Sequence, residues 1–74
     1  MQSKRLVNLL SQYDVNVDYV LSNEILMHYN GVKYSIYYSI TDKTYCLYYG
    51  KEVFIEHLAY GKFKKELEEF LINF

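Results

Sequence analysis

The apolar positions along this chain change their period twice. Leu6, Leu9, Leu10 and Tyr13 recur at i, i+3, i+4 and i+7, which puts a stripe along one side of a helix. Ser3 is placed to cap that helix, and Lys4 and Arg5 fall in its first turn, where the helix dipole opposes cations. The pair reads as a small stability cost or as a contact surface. From Val15 the period becomes two. Val15, Val17, Tyr19 and Leu21 alternate with Asn16, Asp18 and Val20, the signature of a half-buried strand that Ser22-Asn23 breaks. A second strand, about Glu24 to Tyr29, meets Asn30-Gly31, a strong short hairpin signal. A third runs from Val32 to Thr41, and Asp42-Lys43 turns it into a fourth, Thr44 to Tyr49, which Gly50 ends.

Turns fix register, and register sorts side chains onto faces. A two-residue turn at Asn30-Gly31 sets Tyr29 opposite Val32, Met27 opposite Tyr34 and Ile25 opposite Ile36. Asp42-Lys43 at the next tip sets Ile40 opposite Tyr45, Tyr38 opposite Leu47 and Ile36 opposite Tyr49. One face then carries Ile25, Met27, Tyr29, Val32, Tyr34, Ile36, Tyr38, Ile40, Tyr45, Leu47 and Tyr49, and is the expected core. The other carries Glu24, Leu26, His28, Lys33, Ser35, Tyr37, Ser39, Cys46 and Tyr48. Seven tyrosines (Tyr13, Tyr19, Tyr29, Tyr34, Tyr38, Tyr45 and Tyr49) are assigned to the core side.

The remainder, Glu52 to Phe74, reads as helical, with a stripe through Ile55, Leu58, Ala59, Phe63, Leu67, Phe70, Leu71 and Phe74. Gly61 inside it predicts a kink, and so one bent helix or two short ones. Lys62, Lys64 and Lys65 against Glu66, Glu68 and Glu69 form a solvated face with i,i+4 pairs in the weaker Lys-before-Glu order. The expected fold is a single α+β domain over residues 1–74. It has two layers: an N-terminal helix, an antiparallel three- to four-stranded β-meander, and one or two closing helices.

Composition changes this picture in three ways. A 74-residue chain has a marginal core, and its single cysteine excludes an intrachain disulfide, so ten Tyr and four Phe must supply the burial. A formal charge of −1 gives no long-range field of either sign, which disfavours both a phosphate-neutralising surface and a DNA mimic. No apolar run reaches the roughly 18 residues of a membrane span, and the start is too polar for a secretory signal. With a lone free thiol, the expected location is a reducing cytosol.

Chemistry-bearing constellations are few. One Cys and two His (His28 and His57) fall short of a zinc set, and no phosphate loop, nucleophile elbow or paired-His motif is present. Cys46 and His28 share a face but lie on strands two apart, so no catalytic residue, metal or cofactor is expected. His57 reads as exposed. Tyr37 and Tyr48 stand apart from the core tyrosines: they come out opposite each other on the mixed face, with Lys33, Leu26, His28 and Cys46 nearby. Such a pair stabilises a sheet, and it also makes a contact patch, since tyrosine is enriched in interface hot spots. Protein recognition is the preferred use of the patch. A small RNA- or single-strand-binding domain is the alternative, with aromatic platforms present but Lys33 the only cation among them. The element order also resembles double-stranded-RNA-binding domains, whose basic run is matched only by Lys62, Lys64 and Lys65. A cellular adaptor is the third reading.

Lysine outnumbers arginine seven to one, Ile, Asn and Tyr are frequent, and Pro is absent, a bias that reads as an AT-rich genome. Together with Lys4 to Tyr13, Asn23 to Tyr49 and Glu52 to Phe74, this element order resembles small phage-encoded inhibitors, including some anti-CRISPR proteins. The resemblance implies a non-enzymatic accessory protein that binds and inhibits a host or defence protein. The near-neutral charge departs from the members that imitate DNA. Finally, the uncharged fourth strand, Thr44 to Tyr49, reads as an edge needing cover: by the same chain, by a partner, or by a second copy, making a homodimer with Cys46, Tyr48 and Tyr37 at the contact.

Overall fold

A computed structural model describes residues 1–73. The elements are α1 (Ser3–Ser11), β1 (Asn16–Val20), β2 (Glu24–Tyr29), β3 (Val32–Ser39), β4 (Thr44–Tyr49), β5 (Glu52–Leu58) and α2 (Tyr60–Asn73). The strands form one antiparallel sheet in the order β1-β2-β3-β4-β5, and both helices lie on one face of it. Core side chains of the sheet, among them Ile25, Met27, Ile36 and Leu47, pack against Leu6, Leu9 and Leu10 of α1 and Phe63, Leu67, Phe70 and Leu71 of α2. The two-layer α+β architecture is the expected one. Its strand count is five.

The fifth strand is the main correction. Glu52–Leu58 is β5, and α2 begins only at Tyr60, so Gly61 sits in the first turn of a single helix and kinks nothing. Two irregularities in β5 explain the helical reading. Pairing steps from Tyr48↔Val53 to Leu47↔Ile55, skipping Phe54, and then to Tyr45↔Leu58, so that Glu56 and His57 together oppose Cys46. Each bulge inserts one residue and reverses the alternation beyond it. Phe54, Ile55 and Leu58 therefore all turn toward α2: Phe54 meets Tyr34 and Phe70 edge-on or tilted, Ile55 is buried, and Leu58 packs on the core. β5 pairs along the whole of β4, so the proposed edge is covered by the chain itself and the case for a second copy there lapses.

The first hairpin has the expected register, with Asn30 and Gly31 both at positive φ (53° and 76°) as its two-residue turn requires. The next is shifted by two residues. Ser39 pairs with Thr44, leaving a four-residue loop in which Lys43 has φ 56° and its N–H reaches the Ser39 carbonyl at 2.7 Å. A shift of two preserves the faces, but it places Ile40 in the loop, 71% exposed, and Tyr37 opposite Cys46. Elsewhere a bulge at Asp18 turns Tyr19 outward and leaves Leu21 exposed, and Tyr49 is also exposed. Tyr19, Leu21, Ile40 and Tyr49 therefore leave the predicted core. Ser3 is the first helical residue and Gln2 occupies the cap without a side-chain bond; the Gln2 N–H instead donates to the Tyr45 hydroxyl at 2.9 Å. No described helix is long and apolar enough to cross a membrane.

Candidate functional site

Among the described residues, the sheet face opposite the helices carries no second layer. Cross-strand pairing arranges its side chains in transverse rows, with neighbouring strands about 4.8 Å apart. Asn16, His28 and Lys33 make one row, and Leu26, Ser35, Tyr48 and Val53 the next. Glu24, Tyr37 and Cys46 make the third, with Ser39 and Thr44 beyond. All six residues singled out from the sequence, Leu26, His28, Lys33, Tyr37, Cys46 and Tyr48, thus share this face.

Tyr37 and Tyr48 are diagonal neighbours rather than direct partners, and their tilted rings have centroids 6.5 Å apart. Cys46 is fully buried despite lying on the open face. It is small, sits on an inner strand, and has the Tyr37 and Tyr48 side chains beside it. Its thiol donates to the Tyr37 carbonyl at 3.7 Å. The Tyr48 hydroxyl is pushed up to about 12, chiefly by hydrogen bonding with Cys46, then by burial and the charges of Cys46, Tyr37 and Glu24. The thiol is therefore a structural support beneath the aromatic pair and is sealed from any substrate.

His28 and Cys46 do not meet. The His28 ring instead bonds the Asp18 carboxylate through Nδ1, and Asn16 donates to the other Asp18 oxygen at 3.1 Å. The bulge takes Asp18 out of the pairing between Val17 and Tyr19, and its side chain reaches across to β2. At the far end Thr44 and His57 approach within 3.4 Å; His57 is exposed, as expected, but on a strand. Among the described residues no group of three or more His, Cys, Asp and Glu is gathered to hold a metal.

Sequence reasoning missed Asp18, Asn16 and Val53. Asp18 was hidden by strict alternation, and Val53 by the helical reading of β5. The resulting face has half-buried aromatic and aliphatic side chains at its centre (Tyr37, Tyr48 and Leu26, with Val53 beside them). Its rim holds both charge signs, Lys33 against Asp18 and Glu24. No family model, curated protein or solved structure matches the chain.

Proposed function

We propose that this chain is a non-enzymatic binding protein that docks a protein partner on its open sheet face, as an inhibitor of a host or defence protein. The observation that carries this reading is the uncovered face with Tyr37 and Tyr48 adjacent at its centre. Tyrosine contributes large contact area at low entropic cost, and a polar rim excludes water around such anchors. The backing beneath the pair is rigid, because Cys46 is buried and bonded on an inner strand. The inhibitor role rests on the resemblance to small phage-encoded inhibitors.

Charge favours protein over nucleic acid. A single-strand-binding groove needs cations along the backbone track, and Lys33 shares this face with the carboxylates of Asp18 and Glu24. The test is affinity capture from a low-GC bacterial lysate, with and without nuclease, comparing wild type with Tyr48→Lys. Expected is a nuclease-resistant partner captured by wild type and lost with Tyr48→Lys, whose circular dichroism matches wild type. Capture abolished by nuclease would make the chain a nucleic-acid binder. Capture indifferent to Tyr48→Lys would move the interface off this face.

A further inference from the structure

The helical side of the molecule holds a separate candidate. Arg5 lies over the Tyr60 ring at 5.9 Å, and the Tyr13 hydroxyl donates to Glu68 at 3.4 Å. Residues 5 to 13 therefore run alongside residues 60 to 68, so α1 and α2 point the same way. Between them is a groove of about 420 Å³ lined by Arg5, Asn8, Gln12, Tyr60, Lys64 and Glu68, with Leu9 at its wall. That volume is within the range of small-molecule sites, about 300–1,000 Å³. We propose that this groove binds a small ligand through a phosphate or carboxylate group held by Arg5 and Lys64.

Three observations support this. First, neither cation is neutralised: no described carboxylate lies within ion-pair distance of Arg5 or Lys64. Lys64 has Glu68 one turn along the same helix, yet Glu68 receives the Tyr13 hydroxyl at the other end of the groove. Second, Arg5 is unfavourably placed for its own helix. It occupies the first turn of α1, which contains no acidic residue, and the dipole there disfavours a cation. Tyr60 restrains the guanidinium, and none of its five N–H donors is used by a described acceptor. A planar fork of donors suits an oxyanion, and a lysine beside it adds a point charge. Third, Asn8 and Gln12 project into the same groove one turn apart, adding neutral amide donors beside the cations. The polar lining excludes a purely apolar ligand. Being on the helical layer, the site is independent of the sheet face.

Nitrogen-15 NMR titrations with inorganic phosphate and, separately, with glutarate, at ionic strength held constant with chloride, test this. Saturable shifts confined to residues 5–12 and 60–68 are expected for at least one anion, and the comparison distinguishes phosphate from carboxylate. Arg5→Gln and Lys64→Gln should each weaken that binding about 10-fold or more, the loss of one charge-assisted hydrogen bond. Lys43→Gln, in the β3–β4 loop, should leave it unchanged. Both groove residues are on the helix surface, and the spectra themselves report whether each variant is folded; Arg5→Lys, which keeps the charge, should retain part of the affinity. Shifts that stay linear for both anions, or that weaken equally in Lys43→Gln, would overturn the proposal.

Discussion

Ile36→Ala is the most direct test of the sheet. Ile36 is fully buried at the middle of β3, paired with Ile25 on β2 and Leu47 on β4, both also fully buried. The substitution removes three carbons, and at about 0.8 kcal/mol each the transfer loss alone is about 2.4 kcal/mol. β3 is the central strand of five, bonded on both sides, so the surroundings cannot collapse into the void. The cavity term then takes the cost to about 4 kcal/mol, in the upper part of the range for such truncations. At about 0.05–0.15 kcal/mol per residue, the whole domain has only about 4–11 kcal/mol. Urea unfolding followed by far-ultraviolet circular dichroism should show the midpoint falling by about 3–4 M, taking a slope near 1 kcal/mol/M, or a variant already unfolded in buffer. Ile40→Ala is the paired control. Ile40 is 71% exposed in the β3–β4 loop, so its truncation should stay within about 0.5 kcal/mol. Equal costs at the two positions would refute the four-residue loop and the register that follows from it.

Three other outcomes are expected. Gly61→Ala should stabilise by about 0.5–1 kcal/mol in thermal unfolding, because a Cβ there meets open space within a helix, whereas Gly31→Ala should destabilise because φ is +76°. Alkaline pH should destabilise the protein. Tyr34, Tyr45 and Tyr48 all have hydroxyls raised above 10 in the fold, so their stabilisation is fully present below pH 10 and is lost as pH rises through their folded values. Tyrosinate absorbance should show one group titrating near 12 that Tyr48→Phe removes, together with a shallower loss of stability above pH 10. Cys46 should resist a thiol reagent in the native state and react fully in urea; immediate native labelling would contradict its burial.

How far the sequence reached is clearest at particular residues. Asn30-Gly31 left no ambiguity, because two consecutive positive φ angles select that dipeptide and fix one register. The second tip offered Asp42-Lys43 as an equally polar pair, and nothing local reveals that Ile40 and Thr41 belong to the loop. β5 was misread for a geometric reason. Bulges at Phe54 and at Glu56-His57 turn Ile55 and Leu58 both inward, and their spacing of three, with Ala59 following, imitates the i, i+3, i+4 stripe of a helix. The stripe then joins that of α2 without a break in pattern. The site was legible as a set of residues sharing a face, since parity survives a shift of two. The Asp18 contact to His28 was not, because a bulge appears in sequence only as one residue of disrupted alternation.

The meander also governs how the chain assembles. Every strand pairs with its neighbour in sequence, so the sheet can zip one hairpin at a time, each closing a short loop at little entropic cost. The helical layer follows another rule. Its ties to the rest span long stretches: Gln2 to Tyr45 across 43 residues, Tyr29 to Leu71 across 42, and Tyr13 to Glu68 across 55. On a ribosome, all five strands emerge before α2 does, and α2 brings Phe63, Leu67, Phe70 and Leu71. Until that helix arrives, a freshly zipped sheet displays its aromatic inner surface to other nascent chains. The interval between sheet closure and α2 docking is therefore when this protein is most exposed to misassembly.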